Sequence, residues 1–116
     1  NYWGKYQIGR AALSAVGFEK ITKDEFIQDT MLQEVTIRRL MSLNKRVLSN
    51  LIGKWEGKTL AGIYITQSGL LAAAHLGGCS NVRNFLESNG AVIFKDGNGT
   101  PITKYMKHFS NYKLKF

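Results

Sequence analysis

Thr66-Gln67-Ser68-Gly69-Leu70-Leu71-Ala72-Ala73-Ala74-His75-Leu76-Gly77-Gly78 decides the fold class of this chain. Thr66 is suited to cap a helix, because its hydroxyl can accept from the orphan backbone N–H groups of a first turn. The helix then runs to Leu76 and stops at Gly77-Gly78. Ser68, Ala72 and His75 follow at spacings of four and three, so they share one face. The consecutive alanines leave room for another helix, or a substrate, to approach closely.

Helical signals continue on both sides. Ala11, Ala12, Leu13, Ala15 and Val16 predict a small helix stopped by Gly17. Thr22-Lys23-Asp24-Glu25 is a capping box opening a turn of helix at Phe26 and Ile27, and Thr30-Met31-Leu32-Gln33 reads as a second one. A longer helix follows, with Met31, Leu32 and Val35, then Ile37, Leu40 and Met41, at helical spacing. Asn44 is placed to cap another, whose stripe is Val47, Leu48, Leu51 and Ile52 before Gly53. Residues 55–65 read as a loop. Ser80 reads as the cap of a short helix carrying Val82, Phe85 and Leu86 towards Asn89-Gly90.

One β-hairpin is expected, from Ala91-Val92-Ile93-Phe94 into the turn-rich Lys95-Asp96-Gly97-Asn98-Gly99. Thr100-Pro101 suits the cap and first position of a last helix with Ile102, Tyr105, Met106 and Phe109 on its apolar face. The tail alternates Tyr112, Leu114 and Phe116 with Lys113 and Lys115, the pattern of a short extended strand. The expectation is a mainly α structure with one short β-hairpin, residues 1–116 forming a single small helical domain.

Composition narrows the function classes. No apolar run approaches the ~18 residues of a membrane span. The N-terminus carries no signal-peptide pattern and no initiator Met, so the chain is expected to be a processed or excised piece. A single cysteine, Cys79, makes no internal disulfide and no cysteine-based metal site. The net charge of +8 attracts polyanions, among them nucleic acid, anionic lipid and the carboxylate-bearing peptides of cell wall. The basic residues are scattered as Arg38 and Arg39, Lys45 and Arg46, Lys104 and Lys107, Lys113 and Lys115. None of these forms a nucleic-acid-binding arm, and nucleic acid is not an expected partner.

Gly4-Lys5-Tyr6-Gln7-Ile8 resembles the Gly-Leu-Met-Gln-Ile stretch of lytic transglycosylases at its Gly, Gln and Ile. Ala73-Ala74-His75-Leu76-Gly77 occupies the place of their Ala-Tyr-Asn-Ala-Gly stretch. The chain is more similar still to lysozyme-like domains attached to phage-tail and type VI secretion proteins. Their motifs occur here in order as Lys5–Gln7, Gln33-Glu34, Ser68–Gly78 and Asp96–Thr100. The resemblance covers nearly the whole chain. It implies a lysozyme-like fold and cleavage of peptidoglycan glycan strands between N-acetylmuramic acid and N-acetylglucosamine, by a muramidase or lytic transglycosylase. It also implies secretion or delivery to the bacterial periplasm or envelope, and a secretion or phage-tail carrier protein; the residues themselves offer no metal ligands and no cofactor motif, so neither is expected. The alternative is a non-catalytic module that kept the fold and binds peptidoglycan or a partner.

Glycosidic cleavage needs a carboxylic acid kept protonated to donate to the leaving oxygen, with a second group assisting. In the resembled family that acid is a Glu just before the first motif, which here would lie upstream of Asn1. Glu34 is the fallback within the chain; its other reading is a charge that stabilises a helix start. Gln7 is a candidate sugar ligand, since an amide both donates and accepts, or else a structural bond within its turn. Tyr6 either stacks on a sugar or fills the core. Tyr64, Thr66, Ser68 and His75 are the remaining candidates for the substrate cleft. His75 stands where the transglycosylases carry Asn, and a structural role competes with substrate binding there.

Overall fold

The computed structural model describes Tyr2, Trp3, Tyr6 and residues 8–110, and it is mainly helical. Gln7 and the tail beyond Ser110 lie outside the described residues. The described residues divide into two units, those up to Leu43 and those from Asn44 onward.

In the first unit, β1 (Tyr2–Trp3) pairs antiparallel with β2 (Ile8–Gly9), with Tyr2 opposite Gly9 and Trp3 opposite Ile8. Helix α1 (Arg10–Ala15) follows directly. It ends as the sequence predicts: Gly17 adopts φ +91°, Gly17 N–H donates to the Ser14 carbonyl, and Phe18 N–H donates to the Leu13 carbonyl at 2.8 Å. This is a Schellman closure, which only an unhindered residue at Gly17 enters without strain.

Helix α2 (Lys23–Gln28) opens on the expected capping box. Thr22 Oγ1 accepts from the Glu25 N–H at 3.2 Å, and Glu25 Oε1 accepts from the Thr22 N–H at 3.1 Å. Those bonds also hold the Glu25 carboxyl below its usual range.

The second box is not formed. Helix α3 (Thr30–Trp55) takes its cap one residue earlier, where Asp29 Oδ1 accepts from the Leu32 N–H at 2.9 Å. Gln33 is buried, and its amide donates instead to the carbonyls of Phe26 and Ile27, at 3.0 and 3.1 Å. The last carbonyls of α2 are thereby satisfied by a side chain of α3. Asn44 caps nothing either, because α3 continues through it without a break. The apolar stripes on either side of Asn44 keep helical phase, so the weak propensity of one Asn is overridden.

The second unit contains the latter part of α3, then β3 (Thr59–Leu60) and β4 (Ile63–Tyr64) in an antiparallel hairpin. Residues 55–65 are therefore not simply a loop. Ala61 and Gly62 turn the chain with φ +51° and +79°, and the pairing extends to Ile65 N–H donating to the Lys58 carbonyl at 2.8 Å. Two successive positive φ values are the geometry of a type I′ turn, which Ala61 disguises in the sequence.

Helix α4 (Gln67–Gly77) is capped by Thr66 as expected, with Oγ1 accepting from the Gly69 N–H at 3.1 Å. Helix α5 (Cys79–Glu87) starts one residue before its expected cap, so Ser80 lies inside its first turn. It closes on Asn89 (φ +55°), with Gly90 N–H donating to the Phe85 carbonyl at 2.8 Å.

Ala91-Val92-Ile93-Phe94 is not the expected strand. The pairing beside it among the described residues is a single bridge of Lys95 with Pro101, flanked by Asp96 N–H donating to the Thr100 carbonyl at 2.9 Å and Ile102 N–H donating to the Phe94 carbonyl at 3.0 Å, and the chain turns helical at Ile102 before a second strand can extend. Val92, Ile93 and Phe94 stay exposed. Helix α6 (Ile102–His108) begins just after Pro101. It lies so close to α4 that a Cβ on Gly69 would stand 2.5 Å from the Met106 carbonyl oxygen, and one on Gly77 would stand 2.6 Å from Ile102 Cγ2. The close approach of another helix is thus made at the glycines of α4, Gly69 and Gly77. Leu70, Leu71, Phe85, Leu86, Ile102 and Met106 are all fully buried. Side chains of this size contribute about 2 kcal/mol each when removed from water.

Candidate functional site

Two sequence candidates meet in the first unit. The Tyr6 hydroxyl donates to the carboxylate of Glu34, 2.8 Å from Oε1 and 2.9 Å from Oε2. Glu34 lies beyond the first turn of α3, so it does not serve the helix start as a first-turn charge. It is placed by its neighbours in sequence: Gln33 ties α3 to the end of α2, and Thr36 Oγ1 donates to the Leu32 carbonyl at 2.7 Å.

Glu34 opens onto a depression of about 360 Å³, lined among the described residues by Thr30, Met31, Glu34, Val35 and Arg38. Met31 is 76% exposed and walls one end. Sequence reasoning treated Arg38 as one of several scattered surface charges. The signal that would have found it is its position four residues after Glu34, on the same helix face.

Elsewhere in the first unit, two arginines fix the connection from α1 to α2. Arg10 donates to the carbonyls of Glu19 and Ile21, at 3.1 and 2.6 Å, and stacks 4.9 Å from the Trp3 ring centroid. Arg39 donates to the Val16 carbonyl at 3.1 Å and sits 4.7 Å from the centre of the Phe18 ring. Each guanidinium combines at least one hydrogen bond with a cation–π contact, which a solvated surface charge does not do.

The other candidates fall in the second unit. Ser68 is buried and donates to the carbonyls of Phe109 and Ser110, at 2.8 and 3.1 Å; its oxygen lies 3.3 Å from Thr66 Oγ1. Both hydroxyls thus serve the α4 cap and the end of α6. His75 is half-buried in the last turn of α4. Tyr64 is 58% exposed and stands opposite Thr59 in the hairpin. Gln7 falls outside the described residues.

The Asp96–Thr100 motif is a closed turn. Asp96 Oδ1 accepts from the N–H groups of Asn98 and Thr100, both at 2.9 Å, and Oδ2 accepts from the Tyr105 hydroxyl. The Tyr105 bond, then the two backbone donors, hold the Asp96 carboxyl below its usual range, and the same pair raises the Tyr105 phenol. Cys79 donates to Asn44 Oδ1 at 3.0 Å, and burial pushes its thiol up, away from reactivity.

Among the described residues no three His, Cys, Asp or Glu side chains gather as a metal site, and no helix is long and apolar enough to cross a membrane. No protein family, no curated protein and no solved structure matches this chain.

Proposed function

We propose that this chain is a lysozyme-like part of a peptidoglycan-directed protein that cuts glycan strands between N-acetylmuramic acid and N-acetylglucosamine. A secretion or phage-tail carrier would bring it to the bacterial envelope. The observation that carries the reading is the Tyr6–Glu34 hydrogen bond, which joins two of the ordered motifs on which the resemblance rests. The other two motifs are linked in the second unit through α6, which packs on Gly69 and Gly77 and bonds Asp96 through Tyr105.

On this reading Tyr6 belongs to the sugar-binding wall and Glu34 is the positioning residue that holds it. The resemblance implies a carboxylic acid as the proton donor. The Glu34 carboxyl is engaged by the Tyr6 hydroxyl at both oxygens, which suits a positioning residue. Tyr64 offers an exposed ring for stacking on a sugar face.

Purified sacculi incubated with the natural protein should lose turbidity and release soluble muropeptides. Co-sedimentation with the sacculi and no release is the behaviour of a non-catalytic wall-binding module, and it would overturn the cleavage reading.

A further inference from the structure

The depression beside Glu34 holds two opposite charges that do not meet. Glu34 and Arg38 lie four residues apart on one helix, roughly 6 Å along its axis. Such a pair ordinarily closes into an i,i+4 ion pair. Here no such pair is formed among the described residues, and the Glu34 carboxylate accepts from the Tyr6 hydroxyl instead. The Arg38 guanidinium is exposed and has no partner among the described residues. A carboxylate offers about four lone-pair sites, and one hydroxyl occupies only part of that capacity. Val35 and Met31 add apolar surface to the same depression.

We propose that this depression is a subsite for a zwitterionic amino-acid end, its ammonium donating to Glu34 and its carboxylate accepting from Arg38. A guanidinium matches a carboxylate through two parallel donors, and a carboxylate fixed by a neighbour meets an ammonium with little reorganisation. Val35 and Met31 cover the methylene chain behind the head group. The occupant is the free amino-acid end of the diamino acid in an uncrosslinked wall peptide. That source rests on the peptidoglycan reading above; the zwitterion chemistry rests on Glu34 and Arg38 alone.

The test is an amide NMR titration of the isotopically labelled natural protein with meso-diaminopimelate. Pimelate, which lacks the ammonium groups, and pentane-1,5-diamine, which lacks the carboxylates, serve as controls. Saturable shifts centred on Glu34, Val35 and Arg38 are expected with diaminopimelate and not with either control. Arg38→Gln, at an exposed position, should weaken binding about tenfold, the loss of a charge-assisted bond. Glu34→Gln should do the same, with its spectrum elsewhere reporting whether the fold survives. Equal binding of either control, shifts centred elsewhere, no saturation, or an Arg38→Gln protein that binds as before would each overturn the subsite. Sacculus cleavage without diaminopimelate binding removes this proposal alone; binding without cleavage removes the glycan-cleaving reading alone.

Discussion

The Tyr6 hydroxyl touches both oxygens of the Glu34 carboxylate, bridging 28 positions of sequence. A hydrogen bond to a charged group is worth about 2 kcal/mol when broken on one side. Tyr6→Phe should therefore lower the urea midpoint by an amount corresponding to about 1–2 kcal/mol. A double-mutant cycle with Glu34→Ala should show strong coupling, and strictly additive losses would mean that the bond carries no weight in solution.

The approach of α6 to α4 depends on Gly69, where a methyl group would meet the Met106 backbone oxygen at 2.5 Å. Backbone cannot yield as a side chain can, so Gly69→Ala should cost about 2–3 kcal/mol despite the better helix propensity of alanine. At Gly77 the obstacle is the Ile102 Cγ2 methyl, a buried side-chain atom that yields only by local repacking, which is still easier than moving backbone. Thermal unfolding should rank Gly77→Ala clearly above Gly69→Ala; the reverse order would contradict the packing described.

The Asp96–Tyr105 pair gives a pH window with a definite sign. The Asp96 carboxyl is held below its ordinary 3.8, so its contribution is present above that value and fades as pH falls through the lowered one. The Tyr105 phenol is raised above its ordinary 10.0, so its contribution is present below that value and fades as pH rises. Tyr105→Phe should lower the unfolding midpoint at pH 7, and the gap to the parent should narrow below pH ~3.8. A gap of constant size from neutral to acid pH would show that the pair is not formed.

Ala61 occupies a left-handed conformation at φ +51° in the β3–β4 turn. Asparagine tolerates that region better, and Asn-Gly is the preferred type I′ sequence. Ala61→Asn should raise stability by about 0.5 kcal/mol; a loss of that size would indicate a different turn.

Much of the helical order was legible because its signals are local. The Thr22–Glu25 box, the Thr66 cap and the Gly17 stop each act within one turn of chain, and each forms as expected. The failures arose where a distant group competed. Gln33 left its expected box for the carbonyls of Phe26 and Ile27, and Asp29 took the cap instead. Ala91–Phe94 has strand composition, yet the segment opposite it turns into α6 at Ile102, directly after the Lys95–Pro101 bridge. At the site, Tyr6 and Glu34 were each visible as candidates, but periodicity cannot reveal a bond across 28 residues. Ser68 was readable as one face of α4; only the fold shows its hydroxyl turned to Phe109 and Ser110.

Mass spectrometry of glycan ends after digestion of purified sacculi tests the central claim most directly. Cleavage at the N-acetylmuramic acid linkage should yield disaccharide muropeptides, with reducing ends from a muramidase or anhydro ends from a lytic transglycosylase. Glycan strands of unchanged length, with neither kind of new end, would contradict it.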